Sequence, residues 1–166
     1  MRKLSVLALI IATLGVVGTG LVPSRATADS PFCLPLIGRF DAVPAPPSEC
    51  ASPVGFCTRG NLTGTLRGTY EFTMDSSGPA DARVPAINNF NGVSVVTTRG
   101  GATLTGIDTG TIDLDPTRFG SFVSLITFQS GTSYLEDFTT AQIALRGALD
   151  FASGQTEGNF RGRICF

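Results

Sequence analysis

The stretch Leu62-Thr63-Gly64-Thr65-Leu66-Arg67-Gly68-Thr69-Tyr70-Glu71-Phe72-Thr73-Met74 alternates with a period of two. Leu62, Leu66, Tyr70, Phe72 and Met74 share one parity, and Thr63, Thr65, Arg67, Thr69, Glu71 and Thr73 share the other. Successive side chains of a strand point to opposite faces, so this pattern predicts one long strand with a buried face and a wet face. Gly64 and Gly68 fall on the apolar parity, where a missing side chain permits close approach or sharp coiling.

The same texture runs outward to the C-terminus. Asp75-Ser76-Ser77-Gly78-Pro79 is a turn cluster, and an irregular loop is expected from there to Asn91. Strands are predicted over 92–98 and 102–114, the second bent at Gly106 or Gly110, with the tight turn Arg99-Gly100-Gly101 between them. Ser121 to Phe128 is apolar on both parities and predicts a strand covered on both faces. Two further strands place Ile143, Leu145, Leu149 and Phe151 together, then Phe160, Ile164 and Phe166. Six or more long strands on short turns, with no helical periodicity, predict an all-β fold: a single antiparallel up-and-down barrel over residues 55–166. Closure removes the bare edges that an open sheet would expose; a sandwich is the second possibility.

The first 28 residues read differently. Arg2 and Lys3 precede an apolar run from Leu4 to Val17, and Ala26-Thr27-Ala28 follows as a small-x-small cleavage site, the order of a secretory signal peptide. The run is shorter than the roughly 20 residues of a membrane-spanning helix. A secreted, extracytoplasmic protein beginning near Asp29 is expected, with no membrane association after cleavage. Pro31, Pro35, Pro44, Pro46, Pro47 and Pro53 crowd residues 29–54, which predicts an extended arm lying outside the barrel.

Cys33, Cys50, Cys57 and Cys165 all survive cleavage, and an even number in an exported chain reads as two disulfides with three possible connectivities. Counting register back from Leu62 turns Cys57 outward, and Cys165 turns outward beside inward Ile164 and Phe166. Early and late strands of a barrel are neighbours, so the expected pairs are Cys57 with Cys165, and Cys33 with Cys50 across the arm.

The 166 residues contain no His and no Trp. Without His, triads and His-carboxylate sites are excluded, and the cysteine spacing fits no zinc knuckle, so no metal and no cofactor are expected. From Asp29 onward the chain has 9 Arg, no Lys and 13 Asp+Glu, a net charge of 9 minus 13, or −4. Such a surface argues against nucleic acid as a partner. Glu136-Asp137 is an acidic pair that at a barrel mouth can serve as general acid or base, although a solvated loop is the plainer reading. Asp108, Asp113 and Asp115 are spaced like oxygen ligands but match no calcium loop. Glu71, Arg161 and Arg163 belong to the outer face, and Asn61-Leu62-Thr63 is a sequon only in a glycosylating pathway. On the apolar parity only Ser124 and Asn88 are polar candidates, so no residue is singled out as catalytic or ligand-binding.

Five segments resemble the allene oxide cyclase and dirigent type of β-barrel: CTRGNLTGTLRG at 57–68, TTRGGATLTGIDTG at 97–110, ITFQSGTSY at 126–134, LRGALDF at 145–151 and GNFRGRI at 158–164. Gly-Thr-x-aromatic before the next long strand is the most specific of these; Ser133 stands where a second Gly is usual, and Glu136-Asp137-Phe138 replace small residues. The resemblance implies an eight-stranded barrel in a secreted, bacterial-type member, and transfers no catalytic set. Non-catalytic binding of a small apolar ligand is the expected function, since eight strands enclose room for about one such molecule. An allene oxide cyclase-like isomerase is the alternative, and a structural or interaction module with a filled interior the third.

Overall fold

The computed structural model describes residues 31–118 and 120–166; the expected signal peptide, 1–28, lies outside them. Eight strands follow one another: β1 Cys33–Pro44, β2 Cys57–Gly64, β3 Gly68–Pro79, β4 Ile87–Thr98, β5 Thr103–Asp113, β6 Ser121–Gly131, β7 Thr140–Leu149 and β8 Thr156–Cys165. Each pairs antiparallel with its neighbours in sequence, and β1 pairs with β8 from Cys33↔Cys165 to Ala42↔Thr156, closing the barrel. Among the described residues the only helical turns are three-residue 3-10 turns at Pro47–Glu49, Pro116–Arg118 and Ser133–Leu135.

The structure corrects the sequence reading at several places. Residues 62–74 are not one strand but the end of β2, a turn, and the first half of β3, with Leu62 opposite Gly68. The chain reverses after Gly64, at φ +124°, where an added Cβ would lie 2.3 Å from the Ile37 carbonyl oxygen, so only glycine fits. The alternation runs through the turn unbroken because Leu66, at its tip, folds back into the barrel end and is buried. The loop expected to reach Asn91 is shorter: β3 continues to Pro79 past a bulge between Met74 and Ser76, and β4 begins at Ile87. On β5 the expected irregularity is present as a register shift between Thr105 and Gly106.

The arm predicted over 29–54 is, from Cys33 to Pro44, a barrel strand. Pro35 is tolerated because it lies where β1 has β8 beside it but β2 has not yet begun to pair; that ladder starts at Gly38↔Gly64. This insertion of β1 between β2 and β8 also overturns the expected disulfides. Cys57 on β2 is a strand away from Cys165 on β8, whereas Cys33 faces Cys165 directly across the closing seam. The bonds are Cys33–Cys165 (Cα–Cα 4.0 Å) and Cys50–Cys57 (5.5 Å), the second fastening the β1–β2 link to the start of β2. Cys57 and Cys165 lie on the outer parity of β2 and β8, as expected, and each is buried there.

Inward residues on β6 are Ser124, Ile126 and Phe128, while Val123 and Leu125 are 51% and 42% exposed, so this strand is covered on its inner face alone. Phe151 and Phe166, expected inside, lie beyond the ends of β7 and β8 and are partly exposed. Leu66, Ala102 and Leu135, from the β2–β3, β4–β5 and β6–β7 turns, pack with Leu104, Ile143 and Ile164 and fill one end of the barrel. The opposite end is not filled.

Candidate functional site

Every second residue of β5 faces inward, and that parity reads Leu104, Gly106, Asp108, Gly110. A carboxyl is thereby delivered to the barrel interior between two glycines; Asp108 is 1% exposed. An added Cβ at Gly110 would come within 2.4 Å of the Phe90 ring and 2.7 Å of Ser124 Cβ, so glycine there makes room for both beside the carboxyl. In register, Gly92 on β4 lies opposite Asp108, which sets Ser94 one inward position along; Phe72 on β3 lies opposite Ser94, which sets Tyr70 one further. On the other side Ile126 on β6 is opposite Asp108 and Ser124 is opposite Gly110. Tyr70, Ser94, Asp108 and Ser124 thus step diagonally across four consecutive strands.

The hydrogen bonds follow that diagonal. Ser94 Oγ donates to Asp108 Oδ2 at 2.9 Å, and the Tyr70 hydroxyl donates to the same oxygen at 3.2 Å. Ser94 Oγ and the Tyr70 hydroxyl are themselves 3.4 Å apart. Asp108 Oδ1 is buried with no partner. Burial pushes the Asp108 carboxyl above its ordinary range, and the favourable dipoles of Ser94, then Ser124, then Tyr70 offset this only in part. Ser124 lies near enough to favour the charged carboxyl, but no hydrogen bond of ordinary geometry joins it to Oδ1. The Tyr70 hydroxyl is held well above its usual value, first by burial and then by the Asp108 charge, with Ser94 opposing. The group is therefore a buried carboxyl of raised proton affinity, one oxygen of which has no hydrogen-bond partner.

Tyr70, Asp108 and Ser124 line a cavity of about 260 Å³ in the unfilled end of the barrel. Its walls carry Phe40 against Phe122 (centroids 5.9 Å, tilted 59°) and Phe72 against Phe90 (5.7 Å, 69°). The β1–β2 link contributes Val54 and Phe56 at the mouth. That link is held in shape by Ser52 Oγ, which accepts the backbone N–H of Val54 and Phe56, and by the Met74 N–H donating to the Phe56 carbonyl at 3.0 Å. No group of three metal-ligating side chains occurs among the described residues.

The residues singled out in the sequence are scattered by comparison. Glu136 and Asp137 are exposed in the β6–β7 link at the filled end, away from the cavity. Asp113 and Asp115 shape the β5–β6 link: Asp113 accepts the Asp115 N–H, and Asp115 accepts both the N–H and hydroxyl of Thr117. Asp108 does not join them. Asn88 is half-buried on the inner parity of β4 as expected, but it uses its amide on the Pro85 and Ala86 carbonyls of the β3–β4 link and is absent from the cavity lining. Asn61 is exposed and donates to Asp41, and Glu71, Arg161 and Arg163 are exposed on the outer face as expected. Ser124 is the one interior polar candidate that joins the cluster; Tyr70 takes its expected place on the buried face of β3, whereas Asp108 and Ser94 are interior polar groups that the sequence reading misses. The signal for Asp108 was its shared parity with Leu104.

Fold and site together define a closed eight-stranded antiparallel barrel, half filled, whose hollow half ends on a buried carboxyl. No family model matches the chain, and neither the curated proteins nor the solved structures contain a significant match.

Proposed function

We propose that this protein binds one small, largely apolar molecule inside the barrel, with a single polar group of the ligand meeting Asp108. The observation that carries this reading is a buried carboxyl, Asp108, whose Oδ1 has no partner, in the lining of an aromatic-walled cavity. A buried oxygen without a partner costs about 1–3 kcal/mol, and a ligand that supplies the partner recovers it. The 260 Å³ volume lies just below the roughly 300–1,000 Å³ of drug-sized sites, so the ligand is small: a ring with a short chain, or a short chain alone. A hollow interior supports binding over a purely structural role.

The protein acts outside the cytoplasm after loss of residues 1–28. Two disulfides are compatible with an oxidising compartment, and no helix among the described residues is long and apolar enough to cross a membrane. A second reading, an isomerase of the allene oxide cyclase kind, draws support from one feature: a buried acid with an elevated proton affinity, beside a tyrosine hydroxyl, is a general-acid arrangement. Native mass spectrometry of the exported, oxidised protein tests the first reading. A co-purified small molecule supports it, and intact mass on the same sample reports cleavage after Ala28. Failure to retain any apolar probe would overturn it. Turnover of an epoxide fatty acid, abolished by Asp108→Asn, would instead establish the second.

A further inference from the structure

Among the described residues, Asp108 is the only charged side chain lining the cavity. No arginine among the described residues reaches it, and the other polar groups in the lining are hydroxyls, Thr58, Ser77, Ser124 and Thr156 among them. An anionic ligand would meet a lone carboxyl with no cation to receive it, so acids are disfavoured. A neutral alcohol would give Oδ1 one donor but leave the carboxyl without a counter-charge. The walls are aromatic: Phe40, Phe56, Phe72, Phe90, Phe122 and Tyr70 all line the space, and ring faces attract cations where water is excluded.

Resting on the binding function proposed above, we propose that the ligand class is an apolar primary amine, bound as its ammonium ion. One N–H donates to Asp108 Oδ1, which is otherwise unpartnered, and the aromatic walls surround both the ammonium and its hydrocarbon. An ammonium carries three donors, and the Ser124 hydroxyl in the same lining can accept a second. The buried charge then has its counter-ion, and the pair is charge-assisted, a class of hydrogen bond roughly twice as strong as the neutral kind.

Isothermal titration of the purified, oxidised protein at neutral pH with four matched probes decides the matter: phenylbutylamine, phenylbutanol, butylbenzene and phenylbutanoate. The amine is expected to bind at least about tenfold more tightly than the alcohol, with butylbenzene weaker and phenylbutanoate weakest. In Asp108→Asn the amine is expected to fall to the level of the alcohol, with unchanged circular dichroism as the check on folding. The wild-type ranking needs no variant. If the alcohol or butylbenzene equals the amine, the amine assignment fails while the cavity remains a binding site. If none of the four binds, the binding function itself fails and the amine assignment with it.

Discussion

The disulfide across the barrel seam should contribute far more stability than the one in the β1–β2 link. Cys33–Cys165 closes a separation of 132 residues and Cys50–Cys57 a separation of 7. In the chain-entropy model, cross-linking removes 2.1 + 1.5R ln n of denatured-state entropy, about 5 kcal/mol for the long loop and about 2.4 kcal/mol for the short one at 25 °C. Cys165 and Cys57 are about equally buried, at 5% and 6%, so the packing lost on replacing them by alanine largely cancels between the two variants. The difference of about 2.5 kcal/mol therefore reports loop length. The test is urea unfolding, followed by far-ultraviolet circular dichroism, of Cys33→Ala/Cys165→Ala beside Cys50→Ala/Cys57→Ala. The seam variant should show the lower midpoint and also the steeper slope, because its denatured chain loses the large cross-linked loop and exposes more surface. Equal destabilisation, or a larger loss for the short loop, would refute the reasoning. Unreduced peptide mapping must first show Cys33 joined to Cys165.

Asp108 ties stability to pH. Burial raises its folded carboxyl above the ordinary 3.8, so on raising pH the unfolded chain ionises there first while the folded chain holds its proton. Stability is therefore fullest below about pH 3.8 and is lost as pH rises through the folded value; Asp108→Asn, which cannot ionise, should gain on wild type from pH 3 to pH 8, and a pH-independent difference in urea midpoint would contradict this. Gly64→Ala forces a side chain to φ +124° and onto the Ile37 carbonyl; a loss of about 1–3 kcal/mol is expected from thermal unfolding, and a neutral result would mean that the β2–β3 turn is built otherwise. Phe160→Ala, at a fully buried inward position, should cost about 3–5 kcal/mol, whereas Val123→Ala on the exposed face of β6 should stay within about 0.5; similar losses at both would show that β6 is covered on its outer side.

Period-two alternation made the strands legible from Leu62 onward, because a barrel has one dry face and one wet face along every strand. It was silent on where a strand ends when the turn residue also points inward, and Leu66 is that residue: its burial hides the β2–β3 turn inside an unbroken pattern. Proline density misread β1, since a proline is excluded from a strand only where the ladder needs its N–H, and Pro35 sits where β2 has not yet begun to pair. That single misplacement carried the cysteine connectivity with it, because partners across a seam depend on how many strands lie between them. Val123 and Leu125 misled in the opposite sense, as apolar residues left outside. The site was half legible. Ser124 stood out on the inner parity, but Asp108 was grouped by spacing with Asp113 and Asp115, when its own strand parity set it apart with Leu104 and Gly106.

A carboxyl at this place needs a reason beyond folding. The neighbouring inward positions on β6, Ile126 and Phe128, show that the same barrel layer accepts hydrocarbon, and a leucine at position 108 would remove both the desolvation of the carboxyl and its unpartnered oxygen. Ser94 and Tyr70 do not cancel that cost, since both donate to Oδ2 and neither reaches Oδ1. The glycine at 110 keeps the carboxyl from being packed over, because a side chain there would collide with Phe90 and Ser124. The closed end of the barrel, pinned by Leu66, Ala102 and Leu135, has no comparable feature: it is filled, and its polar residues are at the rim. Polar cluster, unpartnered oxygen and cavity therefore coincide in the half of the barrel that packing leaves open, which is the coincidence the proposed ligand is invoked to explain.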